Sequence, residues 1–272
     1  MIDVKKLVEE RKNLIKESVS NYLPKTVKLS VIQVGNNPAS NAYIKGKMKD
    51  CAEVGVIGDL HKLDEHIDPN EVLKLITQLN KDEECHGIIL QLPLPEQFTS
   101  KWKDVLFKSI AWEKDVDGFR KESGFIPCTP MGIMTILNHV KEQKGIKSFN
   151  GMTACVIGRS DLVGKPMVNL LIESGCTVVS CNSHTVDIDK WIDSCDIIVC
   201  AVGKANFLSL KNKVNWANKI VIDVGINRNE EGKLCGDCSH ELYDCVEYIT
   251  PVPGGVGLTT RLSLLENTIK FI

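Results

Sequence analysis

Val156-Ile157-Gly158-Arg159-Ser160-Asp161-Leu162-Val163-Gly164-Lys165-Pro166 is the stretch that decides the fold. An apolar, β-branched run ends in glycine, a short loop follows, and a second glycine opens a helix-like segment. Backbone N–H groups at such a helix start favour anions, and a dinucleotide pyrophosphate is a common occupant. Ser160 stands where the middle glycine of G-x-G-x-x-G would be, so spacing alone fits a dinucleotide loop or an ordinary strand–helix turn. The next strand sharpens the reading. An NAD site usually carries an acid about 20 residues on, to accept from the ribose hydroxyls. Here that position reads Ser180-Cys181-Asn182-Ser183-His184-Thr185, with no acid, and Arg159 sits in the first loop. A guanidinium without a repelling carboxylate suits a 2′-phosphate and favours NADP over NAD; the alternative is that Arg159 is a solvated loop residue.

Outward from this loop, short apolar segments over 153–157, 177–180, 196–201 and 219–224 alternate with helices or turns. That rhythm predicts a doubly wound, Rossmann-like parallel α/β unit. Toward the N-terminus, Leu7, Val8, Leu14, Ile15, Val19 and Leu23 have helical spacing, and Pro24 closes that helix. Residues 27–34 alternate as a strand, Gly35 to Pro38 turn the chain, and Ser40 is the expected N-cap of a helix reaching about Val54. A helix starting at Pro69 and a buried strand from Gly87 to Leu92 complete a second parallel-sheet unit. Near residue 118 the texture changes to glycine, proline and short polar turns, before a helix over 131–141. Residues 260–272 again have helical spacing.

Composition narrows the classes. With 272 residues, 43% hydrophobic and 25% charged, the chain can bury a sizeable core. Lys+Arg 33 against Asp+Glu 35 leaves a net charge of −2, which argues against a nucleic-acid protein. No apolar run approaches the ~18 residues of a membrane span. The charged start, Met1 to Glu10, reads as a helix rather than a signal peptide. Eleven scattered cysteines fit reduced thiols and a cytoplasmic location. Cys235-Gly236-Asp237-Cys238 has no second CxxC and only His240 nearby, so no metal is expected.

Three segments of the first half carry chemistry. Tyr43 and Lys47 lie four apart on one helix face, where a ring and an amine could stack a planar ligand and handle a proton. A surface tyrosine shielding a lysine stem would give the same spacing. Gln91-Leu92-Pro93-Leu94-Pro95 ends a strand, where ligands of open α/β sheets collect. Asp115-Val116-Asp117-Gly118 falls at the boundary between the halves and could equally be a plain turn.

Together these segments resemble the bifunctional methylenetetrahydrofolate dehydrogenase/cyclohydrolase family over nearly the whole chain. The likeness rests on Ser40-x-x-Tyr43-x-x-x-Lys47, Gln91 to Pro95, Asp115 to Phe119, Pro127-Cys-Thr-Pro130 and the Gly158–Pro166 loop. It continues through Val221 to Asn227, Gly236-Asp237 and Thr250 to Gly257. The resemblance implies oxidation of 5,10-methylenetetrahydrofolate by hydride transfer to NADP, then hydrolysis of the methenyl cation to 10-formyltetrahydrofolate, in one-carbon metabolism that feeds purine biosynthesis. It implies a folate-binding catalytic domain over 1–119 plus a returning helix at about 259–272, an NADP-binding domain over 120–258, and a folate cleft between them. By the same resemblance Lys47 is the hydrolytic base, Gln91 orients it, Tyr43 stacks on folate and Asp117 pairs with the pterin. Leu92, Pro253, Gly254 and Gly257 would line the substrate. Gly158, Arg159, Ser160, Gly164, Ser183, Gly225, Ile226 and Thr260 would hold NADP. A homodimer is implied, without nucleic-acid or membrane partners.

Two departures bear on this. Leu258-Thr259 stands where the family commonly has Pro-Met, removing a proline that suits a first helical turn. His184 stands where many members carry Lys or Arg, leaving Arg159 as the main support for the 2′-phosphate. The competing readings are a monofunctional dehydrogenase, another two-domain NADP oxidoreductase of shikimate-dehydrogenase or malic type, and a non-catalytic folate- or nucleotide-binding module.

Overall fold

A computed structural model describes residues 1–270 and 272 of the chain. The elements run α1 (Val4–Asn21), β1 (Lys28–Val34), α2 (Pro38–Val54), β2 (Ile57–Leu63), α3 (Pro69–Lys81), β3 (Cys85–Leu90), α4 (Ser100–Ser109) and α5 (Cys128–Gln143). They continue with β4 (Thr153–Ile157), α6 (Gly164–Glu173), β5 (Thr177–Cys181), α7 (Ile188–Asp193), β6 (Ile197–Cys200) and β7 (Ile220–Asp223). The short β8 (Asn227–Arg228), β9 (Leu234–Cys235) and β10 (Tyr248–Ile249) precede α8 (Val256–Thr268). The chain divides into one unit of Glu10–Cys128 with Arg261–Ile272, and another of Met1–Glu9 with Thr129–Thr260.

In the unit containing β1, the sheet order is β2-β1-β3 and both pairings are parallel. β1 is central and almost wholly buried, so its sequence reads as a strand. β2 lies at the edge, and its sequence, Ile-Gly-Asp-Leu-His-Lys-Leu, is largely exposed. A polar edge strand offers no apolar run to find, which is why the periodicity did not announce it. α3 turns Val72, Ile76 and Leu79 onto Ile32, Ile88 and Leu90 of the sheet, and Phe98 and Leu106 complete that core.

The start of α2 corrects the sequence expectation. Its N-cap is Asn37, whose side chain accepts from Ala39 N and Ser40 N, and Pro38 takes the first helical position. Proline is pre-set for that position and lacks the N–H that would go unpaired. Ser40 lies inside the helix, and its hydroxyl donates to Leu92 O at 3.2 Å.

The other unit carries a five-stranded parallel sheet of order β10-β7-β6-β4-β5. β4 is flanked by β5 on one side and β6 on the other, so the connections diverge there. The carboxyl ends of β4 and β6 therefore form the switch point at which such sheets take ligands. Cys155, Ile157, Cys181, Ile198, Cys200, Val221 and Ile249 pack in one core beneath them. The thiols there act as small hydrophobes. Cys238 is buried against Cys200 while Cys235 is partly exposed, so the two thiols of the CxxC do not converge. α8 opens at Val256, before the expected 259–260, and Leu258 N donates to Gly255 O at 2.9 Å without needing a proline. Among the described residues, no helix is long and apolar enough to cross a membrane.

Candidate active site

Helical spacing places Ser40, Ile44, Lys47, Asp50, Cys51 and Val54 of α2 on its buried face. Lys47 is 5% exposed, an unusual place for an amine. Its Nζ donates to Gln91 Oε1 at 3.1 Å and stands 5.0 Å from the centroid of the Tyr43 ring. Gln91 is held from both ends: its backbone N donates to Ile32 O at 2.9 Å, and its Nε2 donates to Leu92 O at 2.8 Å. With the amide nitrogen committed to Leu92, the amide oxygen faces the lysine. Leu92 O also receives the Ser40 hydroxyl, so one carbonyl ties the start of α2 to the end of β3.

Burial lowers the Lys47 pKa from its ordinary value, since an ammonium loses its hydration there; the nearby Asp117 opposes the shift and Arg261 adds to it. Burial, reinforced by Asp117, pushes the Tyr43 hydroxyl up, so it stays protonated at neutral pH. Asp117 enters on the loop 115–120, whose turn is built by Asp115. That carboxylate accepts from Arg120 N at 2.7 Å and Phe119 N at 3.4 Å. Asp115 is 1% exposed, and burial pushes its carboxyl up to about 6 despite those donors. Cys128 N donates to Asp117 O at 3.3 Å, and Cys128 Sγ to Val116 O at 3.2 Å.

Residues that sequence reasoning missed complete this centre. Arg261 Nε donates to Asp50 Oδ2 at 2.5 Å, and Lys12 Nζ to Asp50 Oδ1 at 2.5 Å. The Arg261 guanidinium lies against Gly46, where a side chain would approach Nη1 to 2.7 Å. Asn267 Nδ2 donates to Val116 O at 2.8 Å, binding the C-terminal helix to the loop that carries Asp117. The available signal was Asp50, three residues beyond Lys47 on the same helix face.

In the other unit, β4 delivers Gly158 with φ +112°, a region L side chains rarely adopt. A side chain there would run into Ala201 O, so the loops after β4 and β6 meet at the switch point. Ser160 explains the missing middle glycine: its hydroxyl oxygen accepts from Val163 N at 3.2 Å and Gly164 N at 3.3 Å. Two amides expected to face an anion thus have an internal acceptor. Arg159 reaches the end of β5, donating from Nε to Ser180 Oγ at 3.2 Å and from Nη2 to Ser180 O at 2.5 Å. Ser183 and His184 are exposed on the following turn. Gly225 is buried after β7, next to the exposed Ile226. Pro253, Gly254 and Gly257 lie between β10 and the first turn of α8. The Thr260 hydroxyl is engaged with Val256 O at 2.9 Å and Thr129 Oγ1 at 3.2 Å. Among the described residues, no group of three or more His, Cys, Asp or Glu side chains is placed to hold a metal.

Tyr43, Lys47, Gln91, Leu92 and Asp117 are thus gathered in one unit, and Gly158, Arg159, Ser160 and Gly164 in the other. A buried lysine on a helix of one parallel α/β unit and a dinucleotide loop at the switch point of another define a two-domain α/β dinucleotide-dependent class. The chain belongs to the tetrahydrofolate dehydrogenase/cyclohydrolase family: the model of its catalytic domain matches residues 2–117, and that of its NAD(P)-binding domain residues 127–272. It is 41% identical to the bifunctional protein FolD of Campylobacter jejuni, over 99% of this chain and 97% of that protein. A crystal structure of the bifunctional FolD enzyme from Campylobacter jejuni superposes with a TM-score of 0.90 at 40% identity, covering 98% of this chain and 96% of that one. The Trypanosoma brucei enzyme, solved with NADP and an inhibitor, has a TM-score of 0.88 at 28% identity, covering 98% and 95%.

Proposed function

We propose that this protein oxidises 5,10-methylenetetrahydrofolate with NADP and hydrolyses the resulting methenyl cation to 10-formyltetrahydrofolate. The observation that carries the reading is Lys47, buried on α2 and donating to an oriented Gln91. Family membership and full-length likeness to bifunctional FolD proteins support it.

The residues present suit NADP. Gly158 lets the loops after β4 and β6 approach, and the Arg159 guanidinium at Ser180 is placed for a 2′-phosphate. Gly164, Ser160, Ser183, Gly225, Ile226 and Thr260 are assigned to the rest of the dinucleotide. When bound, NADP supplies the hydride acceptor. Tyr43 stacks on the folate, Asp117 takes the pterin N–H donors, and Leu92, Pro253, Gly254 and Gly257 line the substrate. Positioning of this kind provides most of the catalysis in hydride transfer.

Hydrolysis needs a proton acceptor. A neutral amine has two N–H groups and one lone pair. With one N–H committed to Gln91 Oε1, Lys47 can present its lone pair to a water attacking the cation. Burial favours the neutral amine and so moves Lys47 in the direction a proton acceptor requires. Hydride transfer alone calls for no such base, which favours the bifunctional enzyme over a monofunctional dehydrogenase.

We assign folate binding to residues 1–119 with the helix at about 259–272, and NADP binding to 120–258. A cytoplasmic homodimer serving purine synthesis fits the family; the edge strand β2, with Ile57 45% and Leu60 41% exposed, is a surface a second copy could cover. The test is direct. Purified protein given methylenetetrahydrofolate and NADP should generate NADPH absorbance, and should bleach the methenyl chromophore without NADP. No NADPH would refute the dehydrogenase; NADPH without bleaching would leave only the monofunctional reading.

A further inference from the structure

Two buried carboxylates lie under the loops at the switch point, outside every assignment above. Asp237 and Asp223 are both 0% exposed. Asp237 Oδ2 accepts from Val202 N at 2.8 Å and Gly203 N at 3.1 Å; its Oδ1 accepts from Lys204 N at 2.8 Å and Asn227 Nδ2 at 2.9 Å. Asp223, ending β7, accepts from Asp237 N at 2.8 Å and Gly225 N at 3.1 Å on Oδ1, and from Cys238 N at 2.9 Å on Oδ2. The two glycines are required by this interlock. A side chain on Gly225 would collide with the Asp237 carboxylate, and one on Gly236 with that of Asp223.

The loop that Asp237 gathers is at the ligand end of the sheet. It continues from Ala201, whose carbonyl closes on Gly158, while the Asp223 loop leads to Gly225 and Ile226. Consecutive amides converging on one point, with Gly203 at φ +67°, make an anion cradle of the kind that often binds phosphate. Here the protein's own carboxylate fills it. The backbone of 202–204 can then offer a ligand carbonyl oxygens, which suit hydroxyl and carboxamide donors and repel phosphate.

We propose that Asp237 is a positioning residue for the dinucleotide. By holding the amides of 202–204 from beneath, with Asp223 holding Asp237 in turn, it presents that loop to the ribose and carboxamide part of NADP and keeps the pyrophosphate on the Gly158 loop. The inference rests on the reading of the Gly158 loop as the dinucleotide site. Asp237 itself touches neither substrate nor cofactor in this account.

The test is Asp237→Asn in the full-length protein, which places an NH2 group among donors that need an acceptor. NADP Kd by titration calorimetry and NADP KM in the dehydrogenase assay should both rise at least tenfold. Methenyl hydrolysis measured without NADP should stay within twofold of wild type. A purely structural role would lower both activities together, and that result overturns the proposal, as does an NADP Kd within twofold of wild type. Should Asp237→Asn fail to fold, Asn227→Ala removes only one donor to Asp237; a threefold rise in NADP KM with unchanged hydrolysis is expected, and equal loss of both activities is refuting. Wild-type protein titrated in parallel separates the two levels. Absence of NADP binding there overturns the site assignment itself, whereas normal wild-type binding with an unaltered variant overturns only the role of Asp237.

Discussion

Replacing Lys47 by methionine should separate chemistry from folding. The side chain is 5% exposed, in the middle of a helix. Methionine matches its unbranched shape, has similar helix propensity and is a near volume-conserving exchange. The variant loses one hydrogen bond, the 3.1 Å contact to Gln91 Oε1, worth about 1 kcal/mol net. Gln91 is only half-buried, so its oxygen can recover a water. Against that loss stands relief of the burial penalty on the ammonium. Because burial lowers the folded-state pKa of Lys47, the unfolded chain binds more protons above that pKa, and wild-type stability rises with pH toward the ordinary value of 10.5. Below the folded-state pKa the penalty is fully present. Lys47→Met should therefore melt at or above the wild-type temperature at pH 7, with any gain closing as pH nears 10.5. Its cyclohydrolase kcat should fall by about 10²–10⁴, the usual contribution of a positioned base. Methenyl bleaching, NADPH formation and thermal melts on one preparation provide the measurements. Hydrolysis within threefold of wild type would refute the role of Lys47, and a collapse of the melting temperature alongside activity would refute the argument from packing.

Further outcomes follow from the same geometry. Asp117→Ala should raise the folate KM by about 10–100-fold, the scale of one charged hydrogen-bonding group, while NADP KM stays within twofold; an unchanged folate KM removes Asp117 from the site. Arg159→Gln should raise NADP KM by about tenfold or more and leave NAD KM nearly unchanged, because its guanidinium at Ser180 can distinguish the cofactors only through the 2′-phosphate; parallel changes in the two would count against that contact. Asp115 holds its proton to about 6, so between roughly pH 4 and 6 the folded state binds more protons than the unfolded one. Its contribution to stability is full below that window and is lost as pH rises through 6. The melting temperature of wild type relative to Asp115→Asn should accordingly fall from pH 4 to 7 and then level off, and a pH-independent difference would contradict this.

Much of the architecture was legible because it is local. β1, β3, β4, β6 and β7 are largely buried and rich in apolar and β-branched residues, so each reads as a strand, although β1 carries the buried polar Ser30 and Gln33, and the glycines of the Gly158 loop mark the strand-to-helix turn in place. Tyr43 and Lys47 share a helix face by spacing alone, and Gln91 follows a strand end. The helix cap was misplaced by three residues because Asn37-Pro38 and Ser40 are both plausible starts, and propensity cannot rank them without the Ser40–Leu92 contact. β2 escaped because an edge strand needs hydrogen bonds from its neighbour rather than an apolar pattern.

By itself, then, the sequence determined two parallel α/β units, the glycine loop and the helix face shared by Tyr43 and Lys47, since each depends on neighbours along the chain. The tertiary structure alone decided that Lys47 is desolvated, that Arg261 reaches Asp50 across 211 positions, and that Asp237 fills the amide cradle of 202–204. The physical reason is common to all three. Desolvation and hydrogen-bond satisfaction depend on which distant groups exclude water from a site, and neither spacing nor composition records that exclusion.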